Sequence, residues 1–147
     1  MIFTNIGGYG HTEESFIKEL REKSVDLFVD VRQRRGMRGA SYSFLNSLRL
    51  QSLLKSLKID YLYLPEFSPS ADLRNVQKKW DVELGSSKRS RSRLSQDFIE
   101  RYKSEILGAV DKEYFKVKFH GACVVAFFCV ELDACACHRS LVEDFFQ

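Results

Sequence analysis

The sequence predicts an α/β fold: a three-layer, mostly parallel open sheet with helices on both faces. Short β-prone runs alternate with amphipathic stretches of helical period. The run Ala122 to Val130 is continuously apolar, as a central parallel strand covered on both faces must be. Glycine, proline and serine clusters mark the changes of period. Sheets of this kind use right-handed crossovers, and their ligands bind beyond the carboxyl ends of the strands.

Each element follows from its residues. Ile2 to Ile6 is a first strand; Gly7-Gly8-Tyr9-Gly10 turns the chain, and Thr12 caps a helix with Glu13 and Glu14 in its first turn and Phe16, Ile17 and Leu20 on its apolar face. Leu27 to Val31 is a second strand, followed by a polar, arginine-rich loop. Phe44, Leu45, Leu48, Leu53, Leu54 and Leu57 recur at helical spacing behind Ser41 or Ser43, and the strand Ile59 to Leu64 is closed by Pro65. Leu73, Val76, Trp80 and Leu84 suggest a helix stopped by Gly85, and residues 86–93 read as an exposed, basic loop prone to disorder. Ser95 opens a helix carrying Phe98, Ile99, Tyr102, Ile106 and Val110. The alternation of Phe115, Val117 and Phe119 with lysines fits either an added edge strand or an irregular approach to the next element. Asp133 caps a last helix bearing Leu141, Val142, Phe145 and Phe146.

At 147 residues the chain suits one α/β domain, 1–147, able to bury about two thirds of its unfolded surface. Its 44% hydrophobic and 29% charged residues exclude a disordered or fibrous protein, and its twelve phenylalanines should dominate the core. Met1 leads straight into a strand with no secretory signal, and no apolar run reaches membrane-spanning length, so the expectation is a cytoplasmic protein without a membrane partner. The cysteines, Cys123, Cys129, Cys135 and Cys137, all lie beyond residue 122, which fits thiols or ligands rather than a disulfide framework. Net charge is only +3, but two segments are locally basic and suited to phosphate: Arg32, Arg34, Arg35 and Arg38, and Lys88, Arg89, Arg91 and Arg93.

The strand ends gather the candidate chemistry: Gly7 and Tyr9 after the first, Asp30 and Arg32 after the second, Glu66 after the third, Cys129 and Glu131 after the fourth. Cys137, His138 and Arg139 follow. Three readings compete for the C-terminal cluster. A thiolate of Cys129 or Cys137, helped by a helix N-terminus and by His138 and Arg139, is a nucleophile. Alternatively Cys129, Cys135, Cys137 and His138 bind a soft metal, at a spacing that lacks the usual paired knuckles. In the third, the cysteines are small hydrophobes, preferred for Cys123 in its strand and Cys135 in a helix contact. The glycine turn is a weak match to a phosphate cradle and is equally a tight strand-to-helix turn. Arg32 is expected to use its bidentate fork on Asp30 or Glu131 in the empty protein and on a phosphate when one is present.

These residues resemble the family grouped as domain of unknown function 488. Its pattern runs Ile-Gly, Asp-Val-Arg, Leu-Pro-Glu and Cys-x-Glu-x-Asp-Pro-x-x-Cys-His-Arg-Ser-Leu. The matches here are Ile6-Gly7, Asp30-Val31-Arg32, Leu64-Pro65-Glu66, and Cys129, Glu131, Asp133, Cys137, His138, Arg139, Ser140 and Leu141. Two positions depart: Gly8 stands where His or Tyr is common, with Tyr9 beside it, and Ala134 replaces the motif's proline. The resemblance implies an α/β fold and a shared site rather than a particular reaction.

The leading expectation is an enzyme acting on a phosphate-bearing ligand, a nucleotide or nucleic acid. Cys129, Glu131, Cys137 and His138 would be its catalytic groups, and Gly7, Tyr9, Asp30, Arg32, Arg38, Glu66 and Arg139 would bind the ligand, with no residue assigned to a metal. The alternatives are a non-catalytic nucleic-acid-binding module and a metal-binding regulatory protein using the Cys/His cluster. Cofactor, reaction and oligomeric state are not encoded in any pattern the sequence offers.

Overall fold

In a strand successive side chains point to opposite faces, and the adjacent rings of Phe127 and Phe128 therefore seed two separate aromatic layers. The computed structural model describes residues 1–88 and 90–147, and Arg89 of the second basic segment lies outside the described residues. Strands β1 (Ile2–Ile6), β2 (Leu27–Asp30), β3 (Asp60–Tyr63) and β4 (Val124–Phe128) form a sheet of order β1-β4-β2-β3, with every pairing parallel. The apolar run expected to be central is central: β4 is buried along its whole length between β1 and β2.

Phe128 meets Phe28 of β2 at 5.0 Å and Phe16 at 5.9 Å. Phe16 belongs to helix α1 (Glu13–Glu22), which Thr12 opens with the expected cap, here a capping box shared with Ser15. Phe44, in a 3-10 turn at Ser43–Leu45 ahead of helix α2 (Ser47–Ser56), closes this layer against Phe16 at 5.6 Å. On the other face Phe127 stacks on Phe146 at 5.5 Å and meets Phe3 at 6.1 Å. Phe146 belongs to helix α6 (His138–Phe146). Phe146 in turn contacts Phe67, whose carbonyl accepts the hydroxyl of Tyr102, and so draws helix α4 (Gln96–Glu105) onto the same side. Helices thus cover both faces, as the sequence predicts.

Four local expectations change in whole or in part. Residues 112–118 are helix α5 rather than an edge strand. Asp111 caps it, accepting from the N–H groups of Glu113 and Tyr114, and Phe115 and Phe119 are buried at i,i+4 spacing while Val117 is 73% exposed. In helix α3 (Ala71–Glu83) the inward stripe is Leu73, Gln77 and Asp81, and Val82 and Leu84 face outward. The 86–93 segment, among its described residues, is largely exposed as expected but anchored at Arg91, whose side chain is only 12% exposed. Finally, Asp133 caps a 3-10 turn at Ala134–Ala136 through the Cys135 N–H, and α6 begins afterwards with Cys137 at its N-cap position. No helix among the described residues is long and apolar enough to cross a membrane.

Asp26 stitches the amino ends of the sheet. Its carboxylate accepts the N–H groups of Cys123 (2.8 Å) and Val124 (2.9 Å), and its carbonyl accepts that of Asp60 (2.9 Å). Burial opposes the charged form, but these backbone donors outweigh it and hold the carboxyl below its ordinary value. A lowered folded pKa gives stability that is present above the unfolded value and lost as pH falls through the folded one. Asp26→Ala is therefore expected to cost about 1 to 2 kcal/mol at neutral pH, from two lost hydrogen bonds. The gap between variant and wild type should narrow below about pH 4, the ordinary carboxyl range. Denaturant midpoints measured across that range test this, and a gap independent of pH would contradict it.

Candidate functional site

Beyond the carboxyl ends of β2 and β4 lies a cleft of about 690 Å³. Six of the residues expected to be catalytic or to bind the ligand line it, Tyr9, Arg32, Arg38, Cys129, Glu131 and His138, and so do Arg34, Lys88 and Arg91 of the two basic segments. Cys137 is buried just behind. The donor atoms of Cys129, Cys137 and His138 all lie within 4.8 Å of one another, so the two cysteines share one site as their positions suggest.

His138 is positioned by the start of α6. Its Nε2 lies 3.2 Å from the Val31 carbonyl, which can only accept, so Nε2 carries the proton and Nδ1 presents its lone pair. That lone pair lies 3.7 Å from the Cys137 sulfur. The Cys129 thiol is pushed well above its ordinary range by the neighbouring Cys137 thiol and by burial, so it is a thiol and not a ready thiolate. The Glu131 carboxylate behaves oppositely. Burial would raise it, yet its interactions with Lys88 first, then with His138, the Cys137 thiol and Arg91, bring it down to about 2. One of its oxygens, Oε2, is buried without a hydrogen-bond partner among the described residues.

Arg32 and Asp30 form a buried bidentate pair. Nε donates to Asp30 Oδ1 at 2.9 Å and a terminal nitrogen to Oδ2 at 2.8 Å; the other terminal nitrogen donates to the Leu45 carbonyl at 2.9 Å. Of the two partners expected in the empty protein, it is Asp30 that is used and not Glu131. The guanidinium also lies over the Phe128 ring at 4.8 Å, and Asp30 Oδ2 accepts the Tyr61 hydroxyl as well.

Several expected ligand residues sit elsewhere. Gly7 packs against the chain leaving β4: an added Cβ would fall 2.4 Å from the Glu131 carbonyl oxygen and 2.9 Å from the Arg139 guanidinium. The N–H groups of Gly8 and Tyr9 both donate to the Val130 carbonyl, and that of Gly10 to the Tyr42 hydroxyl. The turn is a packing device, with the amides of Gly8, Tyr9 and Gly10 already engaged, rather than an open cradle. The Arg139 guanidinium is taken up by Asn5 and by the carbonyls of Glu131 and Leu132, and Glu66 is exposed on a 3-10 turn outside the cleft lining. Cys123 and Cys135, expected as buried small hydrophobes, are both exposed, because one precedes β4 and the other lies in the 3-10 turn before α6.

Among the cleft residues that the sequence did not assign to this site, three form one polar network. Gln77 and Asp81 enter from α3, with Gln77 Nε2 donating to Asp81 Oδ1 at 2.8 Å and Gln77 Oε1 accepting the Ser95 N–H at 2.8 Å. Arg91 bridges Asp81 (2.9 Å), Glu131 (3.1 Å) and the Ala136 carbonyl (3.0 Å). It therefore closes one wall by joining α3 to the end of β4. In the sequence Arg91 stands out only as part of a basic run, and Gln77 and Asp81 only by sharing a stripe with Leu73.

Because the Arg32 fork is fully engaged and buried, Arg32→Lys should lose at least one charge-assisted bond. The expected cost is about 1.5 to 3 kcal/mol, read as a lower denaturant midpoint with unchanged slope. An unchanged midpoint would show that the pair contributes nothing net to folding.

Comparison with known proteins adds the lineage and no more. No curated protein and no solved structure matches the chain. One family model does, over residues 12–146, a range that takes in the Asp-Val-Arg strand end and the whole Cys-to-Leu motif. The chain thus belongs to the family described as domain of unknown function DUF488.

Proposed function

We propose that this protein is an enzyme acting on a phosphate-bearing ligand, a nucleotide or nucleic acid, held in the cleft beyond β2 and β4. One observation carries the reading. Exposed Arg34, Arg38, Arg74 and Lys78 ring the mouth, while the only carboxylates lining it among the described residues, Asp81 and Glu131, are already ion-paired to Arg91. The mouth is therefore cationic, which favours an anion and draws it in.

The interior suits the rest of such a ligand. Met37, Pro69, Leu94, Phe98 and Val130 supply apolar wall, and the floor presents Cys129, Glu131 and His138. A cleft of mixed apolar wall and few convergent polar groups is the usual form of a small-molecule site. His138, with Nε2 against the Val31 carbonyl, turns Nδ1 toward the Cys137 sulfur, and Glu131 supplies as base a carboxylate that stays ionised through the physiological range. Compared with a pure binding module, this reading accounts for why a thiol, a carboxylate and an imidazole are buried together where arginines alone would hold phosphate.

Titration of the full chain with pyrophosphate, a nucleoside monophosphate and a short single-stranded oligonucleotide, at several salt concentrations, tests the reading. Replacing Arg38 and Arg74 with serine should weaken binding and reduce the salt slope by about one unit for each phosphate contact removed. Unchanged affinity and slope for all three probes would place the ligand elsewhere. Strong oligonucleotide binding that depends on the rim but leaves the nucleic acid chemically unaltered would favour the binding module.

A further inference from the structure

The cluster at the cleft floor has a property that phosphate binding does not use. Cys129 Sγ, Cys137 Sγ and an imidazole nitrogen of His138 are buried donors within 4.8 Å of one another, held by the end of β4 and the start of α6, and it is Nδ1 of the ring that stands 3.7 Å from Cys137 Sγ. We propose that these three residues bind a zinc-like transition-metal ion, with the remaining coordination position facing the cleft.

The donor spacing is close to what the ion requires. Zinc bonds of about 2.3 Å to sulfur and 2.0 to 2.1 Å to nitrogen, at tetrahedral angles, put donor atoms roughly 3.5 to 3.8 Å apart. Cys137 Sγ and His138 Nδ1 already stand 3.7 Å apart, and the other separations need to shorten by no more than about an ångström, within reach of a cysteine rotamer adjustment. The donor set of two thiolates and one imidazole is that of catalytic zinc sites that keep one position open, and thiolate with imidazole selects zinc over magnesium or calcium.

The surroundings agree. A metal-binding histidine ordinarily donates its second ring N–H to a carbonyl or carboxylate that fixes its orientation. Here the Val31 carbonyl accepts from Nε2 at 3.2 Å, which leaves Nδ1 as the ligand atom. Cys137 occupies the N-cap position of α6 without using its side chain as a cap, so its sulfur is not committed to the helix. Glu131 brings a buried carboxylate oxygen with no hydrogen-bond partner among the described residues, an acceptor left over at the same floor. Cys129 and His138 line the cleft, so the open position faces the space where an exogenous ligand would enter. On loading, two sulfur–metal bonds form as the two thiol protons pass to solvent, and the His138 Nε2 proton stays in place.

The test uses the full, untagged chain under reducing conditions with cobalt(II) as the spectroscopic probe and zinc as competitor. The expected result is one cobalt per chain, a sulfur-to-cobalt charge-transfer band with the intense visible bands of tetrahedral cobalt, and their removal by stoichiometric zinc. Cys129→Ser and Cys137→Ser should each lose these bands, and Cys123→Ser and Cys135→Ser should keep them. In case the buried variants misfold, a second measurement uses wild type alone: zinc should slow alkylation of Cys129 and Cys137 at least tenfold and leave the exposed Cys123 and Cys135 unaffected. Absent bands, bands that follow Cys123 or Cys135, equal alkylation with and without zinc, or recovery of Cys129 and Cys137 as a disulfide under reducing conditions would overturn the proposal. None of these readings depends on the rim cations, so the metal site and the phosphate site stand or fall separately.

Discussion

The guanidinium of Arg139, 2% exposed, donates from Nε to Asn5 Oδ1 at 3.0 Å and from its two terminal nitrogens to the carbonyls of Glu131 (2.6 Å) and Leu132 (3.2 Å). This contact ties α6 to the end of β1 and to the chain leaving β4. Burying a cation costs several kcal/mol unless its donors are satisfied. Here oriented carbonyl dipoles do most of that, and Asn5 passes the interaction on by donating from Nδ2 to the Glu143 carboxylate on α6. The amides of Gly8 and Tyr9 hold the neighbouring Val130 carbonyl. The segment 130–132 is therefore held at three successive carbonyls, and the residues it carries, Cys129 just before and Glu131 within, are fixed relative to His138 on the helix that Arg139 also belongs to. A side chain at Gly7 would collide with this arrangement, so the glycine of the Ile-Gly turn is a packing requirement.

Charge is distributed over the site in two ways. At the floor, every carboxylate is matched: Asp30 by Arg32, and Asp81 and Glu131 by Arg91. At the mouth, arginines and a lysine face solvent. The inner pairs are rigid and hydrogen-bonded, so they set geometry, and the outer cations set the field that an approaching ligand meets. Arg91 shows how a surface-looking sequence can serve the interior. Its guanidinium crosses from α3 to the 134–136 turn, and the Leu94 N–H to Cys135 carbonyl bond (3.0 Å) follows the same route.

Much of this was legible in the sequence where one signal dominated. The continuous apolar run fixed β4 as the central strand, Thr12 and Ser95 capped the helices they preceded, and Cys129, Glu131, Cys137 and His138 converge as the strand-end rule requires. Legibility failed where two signals conflict. Residues 115–119 satisfy both a two-residue alternation and an i,i+4 helical pair, and only the Asp111 cap and the burial of Phe115 and Phe119 decide it. Arg139 and Arg32 carry the same charge at the same end of the sheet, yet one clamps backbone and the other pairs with a carboxylate. Composition cannot separate those roles, because they depend on which carbonyls the tertiary fold leaves pointing inward. Gln77 and Asp81 were hidden for a related reason: a polar stripe on a helix reads as solvent-facing until the element it satisfies is in place.

Arg139 is the clamp of the cleft floor, and amide hydrogen exchange on Arg139→Met measures that most directly. Methionine keeps an apolar stem of similar reach but leaves the Glu131 and Leu132 carbonyls without their donor. The account predicts that the Gly8 and Tyr9 amides, bonded to Val130, exchange much faster in the variant while the central amides of β4 keep their protection. Unchanged protection at Gly8 and Tyr9 in a folded Arg139→Met protein would contradict it.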